Sequence, residues 1–177
     1  WHYQADGSAY APEGGQSLAP RQHARLLKPR KTSFEQVYRA VREYRDKNPG
    51  KAVMYSSDGY PEFGWAVFMA GGSLPGLPPV EAAGFFRQAA TTRPIDLAGL
   101  PKGCYALADP GNNYIIYQSG NNTLKLDLSA FKGNFTLHRI HPGTGRIIDK
   151  PEKLKGGEVI TVPGAGERSR AIIWITG

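Results

Sequence analysis

The fold is decided by residues 104–149, which read CYALADPGNNYIIYQSGNNTLKLDLSAFKGNFTLHRIHPGTGRIID. Short apolar or alternating runs in this stretch predict strands at 105–108, 114–117, 123–128 and 135–140. Turn sequences rich in Pro, Gly, Asn and Asp separate these runs. Short strands joined by such turns are typical of an antiparallel β-sandwich.

The segment that closes the chain continues this pattern. Residues 156–177 read GGEVITVPGAGERSRAIIWITG, which predicts two more strands, at 158–162 and 171–175, on either side of a Pro-Gly turn. Residues 101–177 are therefore predicted to form one antiparallel β-sandwich domain, and their number suits a compact example of that fold.

Residues 1–100 show a different pattern. Apolar residues at the spacing of one helix face predict a helix over 33–47, with Ser33 and Gln36 as its capping box. The apolar run at 51–56 shows no alternation, which is typical of a strand that is buried on both faces of a parallel sheet. A helix, a tight turn and a buried strand make half of a β/α repeat.

The rest of this part is less regular. Residues 63–69 and 80–90 are predicted helices, because each is a short run without strand-like alternation. Residues 91–101 contain a proline and a glycine and are predicted to be a linker.

The composition limits the class of protein. The chain has 177 residues, of which 40% are hydrophobic, a formal net charge of +7 and a single cysteine, Cys104. One cysteine rules out an intrachain disulfide and cysteine-rich metal sites. The chain has no apolar run of about 18 residues, so no membrane span is predicted. The basic cluster at 21–31 has no accompanying nucleic-acid-binding motif, and no nucleic-acid partner is predicted.

Four features of the closing part resemble the C-terminal module labelled a collagen-binding domain. They are the ADPG sequence after the first strand, the YIIY strand, the LDLS strand, and the strand that ends in His before a Pro-x-Thr-Gly sequence. That module usually follows a (β/α)8 barrel of the glycoside hydrolase kind, in bacterial secreted proteins similar to apiosidases. Residues 29–56 resemble the seventh helix and eighth strand of such a barrel, and residues 58–78 resemble its last loop and last helix.

The resemblance implies the α/β end of a (β/α)8 barrel in residues 1–100, followed by the β-sandwich of 101–177. It implies the C-terminal portion of a secreted or periplasmic glycoside-hydrolase-like enzyme that acts on plant or other polysaccharide without a cofactor. Most of the barrel, with its usual catalytic carboxylates, would lie upstream of Trp1, so this chain alone is expected to be inactive.

The expected partners are carbohydrate and a second protein surface. The apolar groups between residues 53 and 69 are too many for a helix–strand unit to cover by itself. The resemblance implies that the N-terminal remainder of the barrel, or a second polypeptide, covers them.

The active site of such a barrel lies at the C-terminal ends of its strands, which here means the loop after Tyr55. Asp58 and Glu62 are the close acid pair in that loop and are the best candidates for catalysis, since glycoside hydrolysis uses two carboxyl groups. Carboxylates bond sugar hydroxyls, and aromatic faces stack on sugar rings. The candidate substrate contacts are therefore Trp1, His2, Tyr3, Asp58, Tyr60, Glu62 and Trp65.

These candidates have plainer alternatives. Asp58 can be a turn residue, and Glu62 can be an acid favoured by the dipole in the first turn of a helix. The first three residues can form an exposed terminus.

Two other groups of residues invite a functional interpretation. His138 and His141 suggest a metal, but three residues apart on a strand they point to opposite faces, so no metal site is predicted. Strand aromatics could form a carbohydrate platform, although in a sandwich they are more often core. The aromatics concerned are Tyr105, Tyr114, Tyr117 and Trp174.

Three functions stay open on these grounds. The first is a portion of a glycoside-hydrolase-like enzyme, and the second is a non-catalytic module that binds carbohydrate or matrix. The third is a basic nucleic-acid binder. The predicted buried strand at 51–56 favours the first, because a free-standing module has no need of a strand with both faces apolar.

Overall fold

The computed structural model describes residues 2–3, 9–10, 33–55, 61–164 and 170–177. The chain divides into two compact units, Trp1–Pro75 and Gly76–Gly177. The segment 76–100 therefore lies in the same unit as the predicted sandwich.

The first unit contains a small strand pair and two helices. Strand β1 (His2–Tyr3) pairs antiparallel with β2 (Ala9–Tyr10). The helices are α1 (Phe34–Lys47) and α2 (Pro61–Met69).

Helix α1 forms where the sequence predicts it, and the capping box explains its start. The Gln36 backbone N–H donates to the Ser33 hydroxyl at 3.3 Å, and the Ser33 N–H donates to the Gln36 side-chain oxygen at 3.1 Å. Three ion pairs at i,i+4 spacing line the exposed side, each contributing a few tenths of a kcal/mol at most. Asn48 closes the helix by donating its backbone N–H to the Tyr44 carbonyl at 2.9 Å.

The core of the first unit joins the two helices. Val37 and Val41 of α1 lie in one buried cluster with Phe63 and Val67 of α2. The chain leaves α2 at Gly72, where a Cβ atom would lie 2.5 Å from a methyl group of Val67.

The prediction of a (β/α)8 barrel end is wrong. Residues 52–55 form no strand, and every strand pair in the described residues is antiparallel. Val53 is buried against the helices, whereas Ala52 and Met54 are exposed, Met54 to 63%. A strand at the centre of a parallel sheet buries both faces, and this segment buries only one.

The apolar surplus predicted for this part is largely covered within the chain. Val53, Phe63, Trp65, Val67 and Met69 are all buried. A bare surface that calls for the rest of a barrel is therefore not present among these residues.

The second unit is built almost entirely from antiparallel strands. It begins with a short helix, α3 (Phe85–Ala89), and continues with eight strands. The strands are β3 (Arg93–Ile95), β4 (Cys104–Asp109), β5 (Asn113–Ser119), β6 (Leu124–Asp127), β7 (Asn134–Ile140), β8 (Glu152–Lys155), β9 (Val159–Val162) and β10 (Arg170–Thr176).

These strands make two sheets that share a core. The larger sheet has the order β3-β4-β5-β10-β7-β8, and β6 pairs with β9 in the smaller one. Alternate residues of the two sheets meet in a single hydrophobic cluster, as in a sandwich. The cluster includes Ala106, Tyr114, Ile116, Leu137, Ile173 and Ile175 from the larger sheet and Leu124, Leu126, Ile160 and Val162 from the smaller one. The predicted antiparallel β-sandwich is confirmed.

Two edge strands were not predicted from the sequence. Residues 93–95 of the supposed linker form β3, where Pro94 is tolerated because an edge strand needs fewer backbone donors. Strand β8 carries Lys153 and Lys155, which suit an edge that must not pair with another chain.

The turn after β7 is held by its own side chain and by a close backbone approach. The Gly143 and Thr144 backbone N–H groups both donate to His141 Nδ1 at 3.2 Å. Gly145 has a φ of 72°, and its carbonyl accepts from the Glu81 N–H at 3.0 Å. A Cβ atom at Gly145 would lie 1.9 Å from the Pro79 carbonyl oxygen. The Pro-Gly-Thr-Gly sequence is therefore needed for packing against residues 79–81.

Replacing Gly145 should show this requirement directly. Gly145→Ala should lower the free energy of unfolding by about 3 kcal/mol, because it adds a backbone clash to an unfavourable φ. Gly99→Ala is the matched control: it has a φ of 83° but nothing within 4 Å of the added Cβ. The control should cost only about 1 kcal/mol. Urea denaturation of the whole chain, followed by circular dichroism, measures both, and equal losses would contradict the packing explanation.

Candidate functional site

The site residues predicted from the sequence fall mostly outside the described structure. Trp1, Asp58 and Tyr60 lie outside the described residues. His2 and Tyr3 belong to β1, and Glu62 belongs to the first turn of α2, but the structure describes only the backbone there. Their roles stay predictions.

Trp65 is the remaining candidate and is described in full. It lies in α2 with no exposed surface, and its ring meets the ring of Phe68 edge-on, with centroids 5.5 Å apart. The described structure thus places this indole in the packing of α2.

The second unit offers a surface that the sequence did not point to. The larger sheet has one face in the sandwich core and another that faces outward. On this outer face, register places Leu107, Ile115, Trp174 and His138 side by side across four strands. The neighbouring row along the strands contains only polar residues. It runs Asp109, Asn113, Thr176, Thr136 and Lys153.

Trp174 organises the outer face. Its Nε1 donates to Asn113 Oδ1 at 2.8 Å, which fixes the amide orientation. The His138 ring stacks on the indole with centroids 4.8 Å apart and planes at 26°. Phe85 of α3 meets the same indole edge-on at 5.4 Å. The indole is only 3% exposed, so it supports this surface from below.

The strand aromatics are otherwise core. Tyr114 and Tyr117 are buried like Trp174, and Tyr105 is half-buried. The interpretation of these aromatics as packing residues, favoured from the sequence, is confirmed for the three buried rings.

Helix α3 covers part of the outer face. The Thr176 hydroxyl donates to the Gln88 side-chain oxygen at 2.5 Å, so this end of the polar row lies under α3. Beyond α3, the face over strands β7 and β8 is open. Its residues are Asn134, Thr136, His138, Lys153 and Lys155, of which Thr136 and His138 are half-buried and the others exposed. We call these five residues the β7–β8 face.

Two buried polar atoms on the outer face lack a hydrogen-bond partner within the described part of the chain. They are Asn113 Nδ2 and His138 Nδ1. Asn113 is 2% exposed, and its oxygen is already used by the indole. Buried polar groups without partners are uncommon and concentrate at sites that bind something.

Burial lowers the pKa of His138, and the nearby ammonium of Lys153 lowers it further. His138 is therefore neutral near pH 7, with one ring nitrogen able to donate a hydrogen bond and the other able to accept one.

The open face is a hydrogen-bonding surface rather than a metal site. Lys153 Nζ donates to the Thr136 hydroxyl at 3.0 Å. Across the described ranges, no group of three or more His, Cys, Asp or Glu residues is placed to hold a metal. His138 and His141 do not come together, since His138 stacks on Trp174 and His141 caps its own turn. In the same part of the chain, no helix is long and apolar enough to cross a membrane.

A family model described as a domain of unknown function (DUF6298) matches residues 1–92. The chain belongs to this family. No curated protein matches the chain.

Structural neighbours include glycoside hydrolases at low identity. A crystal structure of a glycoside hydrolase family 5 protein from Bacteroides vulgatus ATCC 8482 has a TM-score of 0.50 and 12% identity, over 78% of this chain and 44% of that chain. A structure described as a glycoside hydrolase has a TM-score of 0.40 and 11% identity, over 49% of this chain and 21% of that one. This chain thus spans less than half the length of either.

A third neighbour is smaller. The Drosophila melanogaster CENP-C cupin domain has a TM-score of 0.23 and 9% identity, over 70% of this chain and 97% of that chain. At this score the likeness says nothing about function. The family 5 structure shares the fold with this chain.

The pKa of His138 can be tested through stability. Below its ordinary pKa the unfolded chain takes up a proton on this residue before the folded chain does, so stability falls as the pH falls through this window. His138→Gln should remove that part of the pH dependence, and the free energy of unfolding should then fall less between about pH 7 and about pH 5.

Lys153→Gln separates the two causes. It should raise the pKa of His138 only part of the way to its ordinary value, because burial is the larger cause and remains. Titration of the imidazole signals by NMR measures this, and a His138 pKa at or above the ordinary value in the wild type would contradict the arrangement.

Proposed function

We propose that this chain is part of a secreted glycoside-hydrolase-related protein, in which the sandwich unit, Gly76–Gly177, binds carbohydrate without cleaving it. The fold likeness over 78% of the chain to part of the family 5 structure carries this proposal. The resemblance of residues 104–149 to a module that accompanies such enzymes supports it. The finer parts of the proposal are an apiosidase-like relative, a plant polysaccharide as ligand and a secreted or periplasmic location.

The β7–β8 face supplies the chemistry that carbohydrate binding needs. Sugar hydroxyls both donate and accept hydrogen bonds. An exposed amide, a hydroxyl, a neutral imidazole and two ammonium groups lie together here on rigid strands. The stacking of His138 on Trp174 and the bond from Lys153 to Thr136 hold two of these groups in place before a ligand arrives.

The described acids of the larger sheet support binding rather than hydrolysis. Glu152 is paired with Arg139, and Asp109 accepts a bond from the Asn112 side chain at 3.3 Å. They lie on opposite edge regions of the sheet, with β5, β10 and β7 between their strands. Hydrolysis needs two carboxyl groups that flank one bond, at most about 9.5 Å apart.

Affinity electrophoresis of the whole chain through gels that contain polysaccharide tests the binding function. We expect retardation by at least one plant polysaccharide and none by collagen. Asn134→Ala with Thr136→Ala should abolish the retardation, because both side chains belong to the β7–β8 face. Thr161→Ala with Lys125→Ala is the control, since these exposed residues lie on the smaller sheet. Retardation lost equally in both variants, or binding to collagen alone, would contradict the proposal.

The same preparation should not hydrolyse aryl glycosides. The described residues contain no pair of free carboxyl groups placed as hydrolysis requires. The variant that decides the matter is Glu62→Gln, because Glu62 and Asp58 are the acid pair predicted from the sequence. Turnover by the wild-type chain that Glu62→Gln removes would show that the chain is itself catalytic.

A further inference from the structure

We propose that the β7–β8 face binds an acidic polysaccharide, one whose sugars carry carboxylate groups, as polymers of uronic acids do. This inference rests on the proposed carbohydrate-binding function and narrows it to one ligand class. It follows from the charge of the face, from the donors that the face leaves open and from the rigidity of the strands that carry them.

The β7–β8 face is cationic. Its five residues include Lys153 and Lys155 and no carboxylate. The acid of β8, Glu152, alternates to the other side of the strand, where it pairs with Arg139. That acid therefore does not neutralise the two lysines. A face with two ammonium groups and no acid favours an anionic ligand.

The donors converge where Lys153 meets Thr136. The ammonium of Lys153 has three N–H donors and gives one of them to the Thr136 hydroxyl. That hydroxyl accepts from the ammonium and keeps its own proton to donate. A carboxylate has two oxygen atoms that only accept, so it can take one bond from the ammonium and one from the hydroxyl. A neutral sugar hydroxyl would use the same position less completely.

The two lysines suit a polymer. Lys153 and Lys155 lie two residues apart on the same face of β8, so their Cα atoms are separated by about 7 Å along the strand. A chain with carboxylates on successive sugars can engage both ammonium groups at once. A single bound acid could engage only one of them.

Edge protection alone does not account for this arrangement. A lysine that merely keeps an edge strand from pairing needs only an extended, solvated charge. Lys153 is instead bonded to Thr136, and the half-buried His138 lies next to Thr136 on the same face of β7. The cation is thus part of an ordered polar surface.

Nucleic acid is the other common polyanion, and the face suits it less. Proteins that bind single-stranded nucleic acid stack its bases on exposed aromatic rings. The aromatic ring beneath this face, Trp174, is 3% exposed and is contacted by Phe85 and His138. None of the five residues of the β7–β8 face offers an exposed aromatic ring.

The test compares polygalacturonate with the same polymer after reduction of its carboxyl groups. The two ligands share linkage and shape and differ in charge. Isothermal titration of the whole chain should show binding to the acidic polymer and about tenfold weaker binding to the reduced one, which loses charge-assisted hydrogen bonds. Added salt should weaken the first interaction and leave the second nearly unchanged.

Lys153→Gln with Lys155→Gln should weaken binding to the acidic polymer about tenfold and make the two polymers nearly equal ligands. Lys102→Gln with Lys125→Gln removes the same charge from exposed positions elsewhere on this unit and should keep the preference. Circular dichroism confirms that each variant is folded.

The outcomes separate the two claims. Equal binding of the acidic and reduced polymers by the wild type would overturn this inference and leave the proposed function standing. Failure to bind any polysaccharide, neutral or acidic, would overturn the proposed function itself. Equally tight binding of DNA, or an equal loss in both double variants, would show a general attraction of polyanions and overturn the inference.

Discussion

The contacts of Trp174 are what the outer face of the sandwich depends on. One indole bonds Asn113 at the end of β5, stacks on His138 of β7 and meets Phe85 of α3. It therefore ties three separate elements to the C-terminal strand β10. Edge-on and offset aromatic contacts contribute about 0.5–1.5 kcal/mol each beyond area burial, and the buried hydrogen bond adds about 1 kcal/mol. Without these contacts, His138 and the polar row beside it would have no fixed position.

The sandwich could be predicted from the sequence because its strands have local signals. The YIIY run, the Leu-Lys-Leu-Asp alternation and the Pro-Gly turns each specify an element within a few residues. The edges lacked such signals: Pro94 argued against β3, and the charged run from Glu152 to Lys155 resembled a loop. Both strands exist because a long neighbour offers its backbone groups. That constraint comes from tertiary structure.

The barrel end was predicted wrongly for a related reason. An apolar run as short as residues 51–56 fits a buried strand and also fits a segment with one buried side, and periodicity does not separate the two. The structure has the second arrangement, in which Val53 faces the helices and Met54 faces solvent. The active-site loop that followed from the barrel loses that part of its support.

The candidate site could be predicted only in part. His138 attracted notice in the sequence as a possible metal ligand, but its partner Trp174 is 36 residues away, and Asn113 is 61 residues from Trp174. Only the strand register brings these residues together, and register across distant strands is not written in local patterns. The most direct measurement is an NMR titration of the whole chain with a short oligomer of a uronic acid. We predict that the largest shifts fall on the amides of Thr136, His138 and Lys153 and that β6 and β9 stay unchanged, whereas shifts centred elsewhere would contradict the account.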